Sequence, residues 1–347
     1  SNAMTSVNIT GANIDVTDSD GIDIAAISSA TTLDVIAGDA ITDSGTITVS
    51  GAATFMTKKD LAAAITLNTS GVHTFGSVKA ETRNAADNAT VAGAITIDEN
   101  AAMDIAGLTT TSTVSLITVG AITDSGAIAA GAITINTTGG GDAAARAVTI
   151  AGQTTNATSW NVSTTDGAIS IDEDSATDLA AITTTGSLAV VSAGSVTDSG
   201  VVSVGGTTAV TIATTENVIL DSANTFTGAM TFTAGDGGDG TAFGNVTVKN
   251  STVVKLDTNA DTAGDLYLNA ATDGTVGGNL SITSGGAITQ GIQLGVTGAA
   301  SFKTLNDTPK GITLSNAANT FGAITAQARN AADNADVSGA IAISEGA

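Results

Sequence analysis

The sequence predicts an all-β protein, a parallel β-helix (β-solenoid) built from about four imperfect long repeats. Its composition, its short alternating strands and its long-range self-similarity each favour this class. The 347 residues include 41 glycines, one proline and only 3% aromatic residues. A compact core normally needs large aromatic side chains, whereas thin stacked layers can be filled by Val, Ile, Leu and Ala. The hydrophobic content of 42% argues against a disordered chain.

Self-similarity is the strongest signal. The heptapeptide "RNAADNA" at 83–89 returns at 329–335, with similar flanks on both sides. The phrase Asp-Ser-Gly begins at Asp43, Asp124 and Asp198, and each of these intervals is close to one third of the displacement between the two heptapeptides. Intervals of this kind indicate that one unit was duplicated.

Within each repeat, apolar residues alternate with Thr, Ser or Asn over short runs that Gly, Asn, Asp or Ser separate. Residues two apart share one face of a strand, so these runs predict strands with an apolar inner face. No segment has the periodicity of a long helix; "RNAADNA" and "KKDLAAAI" predict one helical turn at most. The pairs expected to point inward are Ile95 and Ile97, Ile133 and Ile135, Val148 and Ile150, Val210 and Ile212, Val246 and Val248, Leu266 and Leu268, and Ile312 and Leu314.

Tandem β-sandwich modules are the alternative architecture, because a module of about 80 to 100 residues would match the long interval. Such modules usually carry a core aromatic residue and a linker proline in each copy. Trp160, Tyr267 and Pro309 are the chain's only tryptophan, tyrosine and proline. A solenoid with coils of about 20 residues is therefore favoured, with about four coils in each repeat.

The net charge of the chain limits the classes of molecule that it is expected to bind. With 33 acidic and 10 basic residues the formal charge is −23. Nucleic acids and anionic membranes require clustered cations, so neither is expected as a partner. No apolar run is long enough for a membrane-spanning helix, and the absence of cysteine excludes disulfides and thiolate metal sites.

Three stretches resemble the coils of filamentous-haemagglutinin-type adhesins and autotransporter passengers. They are "ITLNTSGVHTFGSVKA" at 65–80, "VILDSANTFTGAMTFTA" at 218–234 and "ITLSNAANTFGAITAQA" at 312–328. The resemblance implies a right-handed parallel β-helix in a secreted or cell-surface bacterial protein. It further implies a non-enzymatic adhesive rod or stalk, whose partner is a host cell, a neighbouring cell or a glycan.

The domain expectation is simple. Residues 1–3 are interpreted as the remnant of an expression tag, and residues 4–347 as a single repetitive β-solenoid. Because "SEGA" stops inside what would be a further copy of "IDENA", the chain is expected to be a fragment of a longer array. Open strand edges at the ends of such a fragment predict end-to-end self-association.

The Asp-Ser-Gly phrase admits two interpretations. Pepsin-like proteases pair two aspartates of similar context over one water, which would make Asp43, Asp124 and Asp198 catalytic candidates. The fourth copy, "GAITQG", carries Gln290 instead of aspartate, and a turn tolerates that exchange better than a catalytic pair does. We therefore predict a turn in which the aspartate bonds local backbone and the glycine takes positive φ.

Calcium is the one cofactor that the sequence suggests. "DSDGID" places Asp18, Asp20 and Asp23 at the spacing of oxygen-ligand loops, and "GDGGDG" contributes Asp236 and Asp239. A calcium-stiffened extracellular repeat is therefore one alternative function, and solvated acidic turns are the simpler interpretation. Two further acidic segments contain Asp98, Glu99 and Asp104, and Asp172, Glu173, Asp174 and Asp178.

A polysaccharide-acting β-helix enzyme is the alternative from another functional class, and it would need acidic and basic groups together in a cleft. The only histidine, His73, is predicted to be a surface imidazole. Four aromatic residues follow similar Asn/Thr-rich turns, and they either plug one corner in each repeat or, if exposed, stack on sugars. They are Phe75, Trp160, Phe226 and Phe321.

Overall fold

The computed structural model describes residues 3–68, 73–137, 146–151, 153–235, 242–270 and 272–346. The chain divides into two compact units, Ser1–Glu173 and Asp174–Ala347. Each unit is described by itself below, as unit 1 and unit 2. Among the described residues no helix is long and apolar enough to cross a membrane.

Unit 1 consists of short strands joined by turns. The strands are β1 (Ser6–Thr10), β2 (Asn13–Asp18), β3 (Ile22–Ala30), β4 (Thr32–Ala37), β5 (Ile41–Asp43), β6 (Ile47–Lys58), β7 (Ile65–Leu67), β8 (Thr74–Arg83), β9 (Ile95–Glu99), β10 (Met103–Thr109), β11 (Val114–Thr118), β12 (Ile122–Asp124), β13 (Ile128–Thr137), β14 (Val148–Ile150), β15 (Thr155–Thr164) and β16 (Ile169–Glu173).

Unit 2 has the same construction. Its strands are β17 (Thr177–Thr184), β18 (Leu188–Ser192), β19 (Val196–Thr197), β20 (Val202–Val204), β21 (Thr208–Ile212), β22 (Val218–Phe226), β23 (Met230–Ala234), β24 (Val246–Asn250), β25 (Val254–Asp257), β26 (Asp265–Asn269), β27 (Thr275–Val276), β28 (Leu280–Ser284), β29 (Ile288–Gln290), β30 (Gly295–Leu305), β31 (Ile312–Leu314), β32 (Thr320–Arg329) and β33 (Ile341–Ile343).

The strands pair in parallel with strands of the next coil. In unit 1, β4 lies on β2, while β5 and the start of β6 both lie on β3, so one coil contributes three short strand segments. The prediction of an all-β parallel β-helix made of repeats is confirmed. Antiparallel β-sandwich modules do not fit these pairings, because such modules are built from antiparallel sheets.

Coil length varies more than the sequence suggested. A short coil of unit 1 runs from Ile95 to its partner Val114, whereas a much longer one runs from Ile65 to its partner Ile95. In unit 2 the coil from Val246 to its partner Leu280 is longer still. The expected coil of about 20 residues therefore describes the short coils only, because turns of different length separate strands that keep their register.

The interior is built as predicted. All seven of the alternating pairs point inward, and each of their side chains is at most 1% exposed. In unit 1 seven successive coils place one side chain above another in register, and burial of each such apolar group stabilises the fold by about 1.5–3 kcal/mol. This column contains Ile22, Ile41, Ile65, Ile95, Val114, Ile133 and Trp160.

The duplicated heptapeptide forms a turn without helix in both copies. Asp87 and Asp333 take left-handed backbone conformations, with φ of 56° and 53°. The side-chain oxygen of Asn84 accepts the N–H groups of Asn88 and Ala89, and Asn330 makes the corresponding bonds in the second copy. Local hydrogen bonds of this kind compete with helix formation, so neither copy becomes helical.

Candidate functional site

The Asp-Ser-Gly phrases lie at equivalent corners of different coils. In each of the three copies the serine hydroxyl donates to an aspartate of the preceding coil. The pairs are Ser44 with Asp23 at 2.6 Å, Ser125 with Asp104 at 2.7 Å and Ser199 with Asp178 at 2.7 Å. The serine therefore ties its corner to the coil before it.

The aspartate of the phrase ties the same corner to the coil after it. Its Oδ1 accepts a backbone N–H group of the following coil, and Gln290 does the same through Oε1. The pairs are Asp43 with Asn68 at 2.8 Å, Asp124 with Ala151 at 2.7 Å, Asp198 with Asp221 at 2.8 Å and Gln290 with Asn316 at 3.3 Å. The predicted turn is present, and in addition to any local bonds these side-chain oxygens reach backbone of the following coil, which the sequence did not predict.

The glycine of the phrase allows the backbones of two adjacent coils to approach each other closely. Gly45, Gly126 and Gly200 do not take positive φ, so that expectation is also wrong. A Cβ atom at these positions would overlap the carbonyl oxygens of Ala25, Ala106 and Ala180 in the preceding coil. Glycine is required here because backbone passes directly over backbone.

The residue four positions after the aspartate, or after Gln290, lies at or just before the start of the next strand, and its N–H group has an acceptor in the following coil. For Ile47 the acceptor is His73 Nδ1 at 3.1 Å. In unit 2, Asn224 Oδ1 accepts from Val202 at 2.8 Å and Asn319 Oδ1 accepts from Leu294 at 2.9 Å. In the remaining copy Ile128 donates to the carbonyl oxygen of Thr154 at 2.9 Å.

The bridging side chain also contacts the corner aspartate or its replacement. Asn224 Nδ2 donates to Asp198 Oδ2 at 2.7 Å, and Asn319 Nδ2 donates to Gln290 Oε1 at 3.1 Å. His73 Nε2 lies 3.0 Å from Asp43 Oδ2. His73 therefore occupies the position that asparagine fills in the two unit 2 corners.

His73 is completely buried, so the prediction of a surface imidazole is wrong. Since Nδ1 accepts the Ile47 N–H group, the neutral ring carries its proton on Nε2, next to Asp43. Burial lowers the pKa of His73, and the nearby carboxylates of Asp43 and Asp98 oppose that shift only in part.

A glutamate that accepts a backbone N–H group from the preceding coil occurs in both units. Buried Glu99 Oε1 accepts the Phe75 N–H group at 2.8 Å, and exposed Glu345 Oε1 accepts that of Phe321 at 3.0 Å. Burial raises the pKa of Glu99 to about 7, against a smaller opposing effect of the Phe75 hydrogen bond. Within the described ranges Glu99 Oε2 has no hydrogen-bond partner.

The calcium candidates are not brought together into a site among the described residues. Asp18 accepts the N–H groups of Met4 at 2.6 Å and Asp20 at 2.9 Å, while Asp23 accepts the Ser44 hydroxyl. Asp236 and Asp239 lie outside the described residues. The described part of the chain contains no group of three acidic or histidine residues placed to hold a metal ion. Calcium binding therefore stays a prediction.

The aspartates considered for catalysis each serve one corner. Asp43 and Asp124 belong to different coils of unit 1, and Asp198 belongs to unit 2. Desolvation raises the pKa of Asp124 and of Asp198 above the usual range of a carboxyl group. Each of these groups accepts a backbone N–H group of the following coil and so holds its corner to that coil.

The four aromatic residues that follow Asn/Thr-rich turns differ in their exposure to solvent. Trp160 and Phe226 are fully buried and Phe75 is 6% exposed, so these three pack in the interior. Phe321 is half-buried and makes an edge-to-face contact with Phe302, with ring centroids 6.2 Å apart. A sugar-stacking role is therefore excluded for the three buried rings in the folded chain.

Parallel coils whose corners repeat the same hydrogen bonds define a β-helical repeat protein. A family model described as repeats of unknown function (DUF5649) matches residues 11–81, 166–233 and 243–328, more than half of the chain. The chain belongs to this family. No curated protein and no solved structure matches it. The corner at Asp124 lies between the first two matched ranges, yet its serine, aspartate and glycine make the same contacts as the others.

Sequence reasoning missed the bridging side chains, although a signal was present. Each precedes Thr-Phe: His73 in "HTF", Asn224 and Asn319 in "NTF". Aligning these tripeptides places the histidine in the asparagine position. The partner of each side chain lies a whole coil away along the chain, which a local pattern does not reveal.

Proposed function

We propose that this chain is a non-enzymatic structural segment of a secreted or surface-anchored bacterial protein, serving as a stalk or adhesive rod. The observation that carries the proposal is the use of the chain's polar corner residues. Aspartate, glutamate, asparagine and histidine side chains, which elsewhere perform chemistry, here accept backbone N–H groups of adjacent coils. Such bonds hold one coil to the next and favour a role in presentation and spacing.

Two sequence features support the surface location. The coils resemble those of filamentous-haemagglutinin-type adhesins and autotransporter passengers. The net charge of −23 keeps such a segment soluble and disfavours association with nucleic acid or anionic lipid. The partner of the whole protein would then be a host-cell surface, a neighbouring cell or a glycan.

Localisation is the first test. Antibodies raised against the purified chain are applied to intact cells of the bacterium that carries the gene, before and after brief protease treatment. The proposal expects labelling of unpermeabilised cells that protease removes, or secreted antigen in the medium. Labelling that requires permeabilisation, with none in the medium, would overturn it.

The stalk role is tested by exchanging repeats within the full-length protein. Residues 43–123 are deleted in one strain and replaced by a second copy of residues 124–197 in another. A spacer depends on its coils and not on their surface details, so we expect adhesion to fall with the deletion and to return with the replacement. If surface-displayed protein carrying the replacement adheres no better than the deletion, the first repeat binds a ligand itself and the spacer role is wrong.

A further inference from the structure

Asp43, Ile47 and His73 form a corner of unit 1 that we name the histidine corner. It differs from the corners at Asp198 and Gln290 in one chemical respect. The side chain that bridges the corner carries an ionisable imidazole, whereas Asn224 and Asn319 carry amides that do not titrate. The corners bridged by Asn224 and Asn319 therefore serve as natural controls, because their bridging side chains do not bind or release a proton.

The hydrogen bonds of the histidine corner require neutral imidazole. His73 Nδ1 accepts the Ile47 N–H group at 3.1 Å, which leaves Nε2 as the protonated nitrogen. That nitrogen lies 3.0 Å from Asp43 Oδ2, and both side chains are fully buried. Asp43 Oδ1 is meanwhile occupied by the N–H group of Asn68 at 2.8 Å.

The neutral His73 ring has only one nitrogen that can bind a second proton. Because Nε2 is already protonated, it must bind Nδ1, where it would face the N–H group of Ile47. Two donors then meet without an acceptor between them, and Ile47 begins strand β6. We propose that protonation of His73 breaks the Ile47 hydrogen bond and opens the histidine corner, making this part of unit 1 an acid-sensitive element.

The surrounding charges set the direction of the effect. Asp43 on β5 and Asp98 on β9 favour the imidazolium, but burial opposes it more strongly and the net pKa of His73 is lowered. Glu99, also on β9, bonds the N–H group of Phe75 in β8. Its proton equilibrium has the opposite sign, so it partly masks the effect of His73 in the unmodified chain.

The sign of the linkage follows from that lowered pKa. An exposed histidine in the opened state has a pKa of about 6.5, so the opened state binds the proton more tightly than the closed state. The closed corner is fully stable above about pH 6.5 and loses stability as the pH falls. Between that value and the closed-state pKa, the opening constant rises about tenfold for each pH unit.

Hydrogen exchange of the full chain tests the proposal. Exchange of the peptide containing Ile47 is followed from about pH 7.5 to about 5.5 and corrected for intrinsic exchange rates. Relative to His73→Asn, the unmodified chain should lose protection by up to about tenfold per pH unit. His73→Asn should keep protection at neutral pH, because Asn224 and Asn319 fill the same position.

Introducing a histidine at the equivalent corner of unit 2 provides the reciprocal test. Asn224→His should give the Val202 peptide of unit 2 an acid-dependent loss of protection that the unmodified chain does not show there. Equal pH dependence of the Ile47 peptide in the unmodified chain and His73→Asn would overturn the proposal. His73 is the only histidine, so the chain gives a single histidine NMR signal. Titration of that signal at or above about pH 6.5 would also overturn the proposal. That measurement needs no variant to fold.

Discussion

The indole nitrogen of Trp160 donates a hydrogen bond to Glu173 Oε2 over 2.7 Å, completely inside unit 1. Glu173 Oε1 accepts the N–H group of Ala157 at 3.0 Å, so both carboxylate oxygens have donors. Glu99 has the same relation to Phe75, but the residue three positions after Phe75 is Val78, which has no side-chain donor. At this repeat position both carboxylate oxygens of Glu173 therefore have hydrogen-bond donors, whereas only one oxygen of Glu99 does among the described residues.

Glu99→Gln is expected to stabilise unit 1 above neutral pH. The Glu99 pKa is raised from 4.5 to about 7, so the folded state holds a proton that the unfolded state has released. The carboxyl group costs nothing below about pH 4.5, becomes steadily more destabilising between about pH 4.5 and 7, and reaches its full cost of about 3 kcal/mol above pH 7. Urea unfolding followed by Trp160 fluorescence should show a gain at pH 8 and none at pH 4.5.

Glu173→Gln is the matched control and should behave differently. One amide oxygen cannot replace two carboxylate oxygens, so either Ala157 or Trp160 loses its acceptor. We expect a loss of about 1–3 kcal/mol at neutral pH, the usual cost of a buried donor without a partner. A stabilising Glu173→Gln, or a Glu99→Gln gain that does not change with pH, would contradict this assignment.

Gly45→Ala is expected to destabilise the first repeat strongly. The added Cβ atom would overlap the carbonyl oxygen of Ala25, and strands fixed by parallel pairing on both sides cannot move apart without breaking other bonds. We expect a loss of more than about 2 kcal/mol in urea unfolding. Gly11→Ala is the control, because its Cβ would meet only a side-chain atom of Ile14, 3.6 Å away. Similar losses for both variants would show that the close approach at Gly45 is not the cause.

Asp198→Ala should destabilise unit 2 far more than Asp178→Ala. Asp198 accepts the N–H groups of Asp221 and Ser222 and the side-chain amide of Asn224, all in the next coil. Its removal leaves several donors without an acceptor, at about 1–3 kcal/mol each. Asp178 bonds Ser199 at an exposed position, where water can replace it. Thermal melting compares the two, and equal shifts in Tm would contradict the structural role of Asp198.

Asp18→Asn separates a structural aspartate from a calcium ligand. Asp18 Oδ1 and Oδ2 each accept a backbone N–H group, and an amide retains only one oxygen acceptor. We expect the same fall in Tm with added calcium and with chelator, of a size that corresponds to about 1–2 kcal/mol. A fall seen only in the presence of calcium would identify Asp18 as a ligand and restore the calcium hypothesis for this loop.

The strands and the interior were predictable from sequence because both depend on short-range alternation. Ile95 and Ile97, or Leu266 and Leu268, reveal their inward direction through spacing alone. The long repeats were equally visible, since duplication leaves the same phrase at each corner. Coil length was not, because turns of different length are compatible with the same strand pattern.

Alternating strands and the repeated Asp-Ser-Gly phrase were enough to predict a repetitive parallel β protein. The contacts that the corner residues make became visible only with the coils stacked. Stacking brings Asp43 next to His73 of the following coil, and places Gly45 against Ala25 of the preceding one. These contacts could not be read from local patterns, because each polar corner group finds its partner in an adjacent coil. A buried donor needs an acceptor within about 3 Å, whatever the separation along the chain.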